Sequence, residues 1–167
     1  FNAIHNSIAF IAESVGGSHV VANNSLQLFD DSHQMIETLA NDIENATTSC
    51  HILSYIMLDD NAGKRIAKAL EQASKKGVQC KLLLDSIGSR DFLKSHTCRE
   101  LRKESIEVVE ALPANIIRAA FARLDIRNHR KIAVIDNSIG YLGSQNIAEP
   151  SFAPKPKFAP WVDASVK

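Results

Sequence analysis

The residues best suited to chemistry lie in the run Arg127-Asn128-His129-Arg130-Lys131-Ile132-Ala133-Val134-Ile135-Asp136 and in Gly143-Ser144-Gln145-Asn146 just after it. His129 and Lys131 are two apart. Residues two apart on a strand share a face, so this imidazole and ammonium project together while Ile132 and Val134 face the other side. The pair suits a bound phosphate: Lys131 supplies positive charge and His129 supplies a nucleophile or a proton. Ser144 and Asn146, also two apart, fall at the end of the neighbouring strand. Their side chains can donate hydrogen bonds to non-bridging oxygens, and Gly143 permits a close backbone approach. Asp136 follows His129 by an odd number of residues, so on a regular strand it faces away from His129 and Lys131. Its own reading is a structural role in the turn Asp136-Asn137-Ser138.

The elements that must position these groups read from periodicity. Residues 1–17 suit a short helix or arm, and Ser25 to Phe29 a strand. A helix follows from Asp31-Ser32, with Met35, Ile36, Leu39 and Ile43 at helical spacing. Thr47 to Leu58 reads as a buried strand, and Asp59-Asp60-Asn61 caps the next helix, which Gly77 ends. That helix has Ile66, Leu70 and Ala73 inside. Lys64, Arg65, Lys68, Lys75 and Lys76 read as its solvated face. Val78 to Leu84 is a strand, 90–103 a helix, and Ile106 to Val109 a short strand. Ile116, Ile117, Ala120, Phe121 and Leu124 fall on one side of a possible helix, for which interfacial contact and core packing stay equally open. Lys131–Ile135 and Ile139–Leu142 form a hairpin. Four of the five prolines lie between Pro150 and Pro160, which makes that stretch a loop before a strand beginning near Trp161. The loop's Phe152, Phe158, Lys155 and Lys157 suit lipid contact and an ordinary rigid loop equally well. This order predicts an α/β fold whose mixed, largely parallel sheet carries helices on both faces, with one antiparallel hairpin. The domain spans 23–167 and is preceded by an arm over 1–22.

Composition narrows the partners. In 167 residues, 45% are hydrophobic, which excludes a disordered chain, and Lys+Arg 19 balances Asp+Glu 19. A neutral chain offers no general field for nucleic acid, so anion binding must be local. No run reaches the roughly 20 apolar residues of a membrane helix. Three cysteines without a Cys-x-x-Cys pair point away from a disulfide framework or zinc site.

The window His129-x-Lys131, Asp136, Gly143-Ser144-x-Asn146 resembles the HKD signature of the phospholipase D superfamily. Tyr55 to Leu70 with Asp59-Asp60 and Gly63 resembles the N-terminal catalytic half of bacterial cardiolipin synthases. So do Lys76-Gly77-Val78, Asp85, Gly88-Ser89, Arg123-x-Asp125-x-Arg127 and the closing Trp161-x-Asp163. The resemblance implies the phospholipase D-like fold and a phosphatidyltransferase that converts phosphatidylglycerol to cardiolipin plus glycerol through a phosphohistidine. It implies no cofactor and no divalent metal. Its catalytic set is His129, Lys131, Asp163 and the motif Asp136, with Ser144 and Asn146 on the phosphate. Asp163 is the carboxylate that the resemblance sets against the histidine.

The chain holds one His-x-Lys pair. In-line displacement at phosphorus puts attacker and leaving group on opposite sides, and one histidine cannot serve both. The start at Phe1 and the strand barely begun at Lys167 read as the edges of an excised domain. A second half is therefore expected, either further along the parent chain or in a homodimer mate, and this polypeptide alone is expected to be nearly inactive. The resemblance also implies an anionic phospholipid substrate and a parent associated with the cytoplasmic side of a membrane, this stretch itself being soluble. Two alternatives stand beside it: a single-motif homodimeric phosphodiesterase or endonuclease, and a non-catalytic half-domain.

Overall fold

Asp31 turns the chain into its first core helix. Its carboxylate accepts the Gln34 N–H at 2.7 Å, a donor that the helix start leaves unpaired. The computed structural model describes residues 3–17, 19–113, 127–152 and 156–167. In chain order they form α1 (Ala3–Gly16), β1 (Leu28–Phe29), α2 (Ser32–Glu44), β2 (Ser49–Ser54), α3 (Asn61–Lys75) and β3 (Gln79–Asp85). Then follow α4 (Arg90–Lys94), α5 (His96–Lys103), β4 (Glu107–Ala111), β5 (Ile132–Ile135), β6 (Ile139–Gly143), a 3-10 turn at Pro156–Phe158 and β7 (Ser165–Val166). The possible helix over 116–124 lies outside the described residues. The helix expected over 90–103 is two helices. Ser95 adopts an extended backbone, ends α4, and accepts the Cys98 N–H at 3.1 Å to cap α5.

The strands form one seven-stranded mixed sheet in the order β1-β7-β6-β5-β2-β3-β4. The α/β class holds, but the parallel share is smaller than expected. Among the described strands β2–β3 and β3–β4 pair parallel, whereas β1–β7, β7–β6, β6–β5 and β5–β2 pair antiparallel. The cause is connection length. A parallel pair needs a long crossover, which α3 and the α4–α5 segment supply. The Asp136–Ser138 turn is far too short for one and forces β5 and β6 antiparallel.

Among the described residues, helices gather on one face of the sheet. Right-handed crossovers that advance in one direction along a sheet lay their helices on the same face. Residues of α2, α3, α4 and α5 share one core with Cys50, Ile52, Cys80, Leu82, Ala133, Ile135 and Tyr141, which point to that face. Burying Ile66 and Leu70 of α3 completely contributes on the order of 1.5–3 kcal/mol each. Cross-strand pairing sets Leu53, Leu83, Val109, Ile132 and Leu142 in one row on the other face. Leu83, Val109 and Leu142 are exposed, so among the described residues the helical cover is one-sided. The three cysteines are buried and free.

The mixed directions give the sheet two unlike rims. At one rim β1, β2, β3, β4 and β6 end while β5 and β7 begin. The opposite rim holds the β5–β6 turn and the starts of β2, β3 and β4.

Candidate active site

His129 and Lys131 sit immediately before β5, at the rim where five strands end. They line a cavity of about 390 Å³ together with Tyr55, Ser144, Asn146, Trp161 and Asp163. The chain is anchored on both sides of this rim. Just upstream, the Arg127 Nε donates to Asp85 Oδ2 at 2.8 Å and its Nη2 donates to Ser86 Oγ at 2.9 Å. The Arg127–Asp85 pair is nearly sealed, with side chains 6% and 2% exposed. Burial raises the Asp85 pKa, but the guanidinium and the amides of Gly88 and Ile87 outweigh it and hold the carboxyl below its ordinary value. Just downstream, β5 locks into the sheet between β2 and β6.

The His129 ring stacks on Tyr55, with centroids 3.9 Å apart and planes 19° from parallel. Lys131 folds beside it. Its Nζ donates to the His129 carbonyl at 2.6 Å and lies 5.5 Å from the Tyr55 ring centroid. Burial pushes the Lys131 ammonium below its ordinary pKa, and the negative charge of Asp163 works against that shift. Imidazole and ammonium thus both lie against the Tyr55 ring at the cavity wall.

Ser144 and Asn146 reach the cavity from the end of β6. The Asn146 Oδ1 accepts the Ile56 N–H at 3.0 Å, which leaves its amide donors for the cavity. The Ser144 hydroxyl donates to Asp163 Oδ1 at 2.6 Å and accepts the Ala164 N–H at 3.0 Å. The hydroxyl thus has both Asp163 and, at 3.3 Å, the Ala164 carbonyl as acceptors within reach. The expected close approach at Gly143 is made by the neighbouring strand: a Cβ there would meet Ser165 Oγ at 2.3 Å. Asp163 shares the cavity with His129, yet its described bond is to Ser144.

Asp136 does not reach this cavity and leaves the catalytic set. It lies beyond the far end of β5, about 13 Å of strand from the histidine side. Its carboxylate accepts bonds from Thr47 N (2.9 Å) and Oγ1 (3.0 Å), Thr48 N and Oγ1 (both 2.8 Å), and Ser49 N (2.9 Å). The amides of Ser49, Thr48 and Thr47 hold its pKa well below the ordinary carboxylate range. With φ at 51°, Asp136 is the first residue of the β5–β6 turn and staples it to the start of β2. The length of β5, which runs between the two residues, is what carries it to that rim.

Sequence reasoning assigned no site role to Tyr55, to the Asp85–Arg127 clamp or to Gln145, which is buried. Gln145 accepts the Ser32 hydroxyl at 2.6 Å and so joins the start of α2 to the Ser144–Asn146 segment. Only strand register could have brought Tyr55 to His129. For Asp85, a lone acid ending an apolar strand was the available signal.

Comparison with known proteins fits this geometry. The family described as "Cardiolipin synthase, PLD-like domain" matches residues 39–156. The cardiolipin synthase A of Wigglesworthia glossinidia brevipalpis is 36% identical over 93% of this chain and 31% of its own length. That of Edwardsiella ictaluri is 36% identical over 99% of this chain and 35% of its own. The chain thus spans about a third of these curated relatives. Among solved structures, the phospholipase D family member Nuc from Salmonella typhimurium superposes with a TM-score of 0.60 at 20% identity, over 85% of this chain and 80% of that one. NucT from Helicobacter pylori gives 0.61 at 17% identity, over 85% and 83%. These two likenesses show the fold.

Proposed function

The chain belongs to the cardiolipin synthase, PLD-like domain family, and from that premise we propose that it supplies one half of a phosphatidyltransferase active site. The observation that carries this reading is the convergence of His129, Lys131 and Asn146 on one cavity, beside Asp163. The phosphodiester of a phosphatidylglycerol sits there, with the Lys131 ammonium and the Asn146 amide on its non-bridging oxygens. Two histidines, His129 and one from a second motif, divide the work. A ring nitrogen of one attacks phosphorus, forming an N–P bond as the P–O bond to glycerol breaks. The other gives its proton to the departing glycerol oxygen. The free hydroxyl of a second phosphatidylglycerol then attacks, losing its proton to that second histidine. A new P–O bond replaces the N–P bond, and the products are cardiolipin and glycerol. Asp163 works at the rim of this cavity, holding Ser144 and countering the Lys131 charge. The partners are an anionic phospholipid and a second half that carries its own His-x-Lys pair. Among the described residues no helix is long and apolar enough to cross a membrane.

The test supplies the chain with the remaining length of a full-length relative and follows cardiolipin and glycerol formation from phosphatidylglycerol vesicles. The expected result is no product from the chain alone, product from the complemented pair, and loss of product on His129→Ala. Product formation indifferent to His129→Ala would remove the proposal. A second reading, a self-complementing dimer, draws on the single His-x-Lys pair of this chain and on its fold overlap with Nuc and NucT, over 80% and 83% of those chains. Sedimentation separates the two, since a stable dimer that releases glycerol without a second half favours the latter.

A further inference from the structure

A histidine that attacks phosphorus, or protonates a leaving oxygen, must aim a ring nitrogen in the plane of its ring. The side chain turns about two single bonds, so something must fix that plane. Among the described residues no hydrogen bond holds the His129 ring: the described Asp163 bond goes to Ser144, and that of Lys131 to the His129 backbone. The contact that fixes the plane is the face of Tyr55, 3.9 Å away and 19° from parallel. Stacking covers one face of the imidazole and leaves both nitrogens on the free edge.

Tyr55 is itself held rigidly, and by the same turn that holds the histidine strand. The Ser89 hydroxyl donates to the Tyr55 carbonyl at 3.1 Å and accepts the Met57 N–H at 3.0 Å. Gly88 packs so tightly beneath that carbonyl that an added Cβ would lie 2.3 Å from the oxygen. Asp85 shapes this turn by accepting the Ile87 and Gly88 amides, both at 2.9 Å, and its other oxygen takes Arg127. One turn, Asp85 to Ser89, thus secures the tyrosine on one side and the segment that leads into His129 on the other.

We infer that Tyr55 is the positioning residue of His129, a platform that sets the imidazole plane for reaction at phosphorus. The inference rests on the phosphate-directed reading of His129. The Tyr55 hydroxyl has no part in it; the ring face does the work. Lys131 near the same ring adds a cation to the platform, where the aromatic quadrupole favours it.

Nuclear magnetic resonance on this chain tests the inference without any transferase assay, so it can fail while the functional reading stands. In the unaltered chain, cross-relaxation is expected between the His129 and Tyr55 ring protons, with the His129 ring signals displaced upfield by the phenol. Tyr55→Phe should keep both the displacement and the affinity for orthovanadate. Tyr55→Leu should remove the displacement and weaken orthovanadate binding between about twofold and about tenfold, the range of an aromatic pair. Far-UV circular dichroism checks that each variant is folded. If Tyr55→Leu fails to fold, cross-relaxation in the unaltered chain decides alone, and its absence overturns the inference. Unchanged histidine signals in a folded Tyr55→Leu overturn it as well. So does a Tyr55→Phe variant as impaired as Tyr55→Leu, because that result would assign the role to the hydroxyl.

Discussion

Replacing Arg127 by Met keeps most of the side-chain volume and removes the charge that Asp85 was buried against. The two side chains are 6% and 2% exposed, and stripping one partner from a buried pair costs about 3–5 kcal/mol. Asp85 retains its bonds from Ile87 and Gly88, so the lower end, about 3 kcal/mol, is the expected loss at neutral pH. For a chain of this size each kcal/mol shifts the thermal midpoint by about 2–4 °C, so the midpoint should fall by about 6–12 °C. The sign of the pH dependence follows from Asp85. Its native pKa lies below its ordinary value. The stability it contributes is therefore present above the unfolded carboxyl pKa, near 3.9, and is lost as pH falls through the native value. Without Arg127 the Asp85 pKa rises, and the variant's native state takes up the proton at higher pH than the parent's. The gap between parent and variant should then be widest near neutrality and narrow on acidification. Urea unfolding at several pH values reads both quantities, and the Asp85→Asn/Arg127→Met double variant should lose less than the two single losses summed. A loss under about 1 kcal/mol, or a gap that stays constant or widens toward acid, would refute the clamp.

Two further outcomes follow from other groups. Asp136→Asn removes a carboxylate whose native pKa is strongly lowered by the Ser49, Thr48 and Thr47 amides. Its stability contribution is likewise lost as pH falls below the ordinary carboxyl range, so the variant should be less stable at neutral pH and show a flatter acid limb in thermal melts, while the His129 ring signals stay unmoved. Lys131, held below its ordinary pKa by burial, should release sulfate at a lower alkaline pH than an ordinary lysine would. Asp163→Asn should move that release lower still, as isothermal titration across the alkaline range would show; a shift in the opposite direction counts against the assigned contacts.

Much of the fold was legible because its signals are local. The Asp31 and Asp60 caps, the apolar stripe of α3 and the Asp136-Asn137-Ser138 turn each depend on residues within a few positions of one another. The sheet's directions were less legible, since they follow from which connections are long enough to cross over, and the periodicity of a strand is blind to its orientation. Ser95 was read through because a serine inside a helical pattern carries no mark until its hydroxyl finds the Cys98 amide. At the site, His129, Lys131, Ser144 and Asn146 line one cavity, although all four lie just outside β5 and β6, where the two-residue alternation of a strand does not apply. Tyr55 follows β2, Asp85 ends β3 and Arg127 precedes β5, all distant in sequence. Their meeting depends on register across β2, β3 and β5, which no local pattern encodes.

The unlike rims of the sheet have a practical consequence for anyone handling the molecule. Every group discussed for reaction belongs to one rim, while the other is bounded by tight turns, among them the one at Gly77, where φ is 88° and the surroundings are open. Exposed tips of that kind tolerate inserted chain. A tether, fluorophore or fused carrier placed at Gly77 would leave the opposite rim facing outward, so that the protein could be immobilised in one orientation on a sensor surface and presented directly to vesicles.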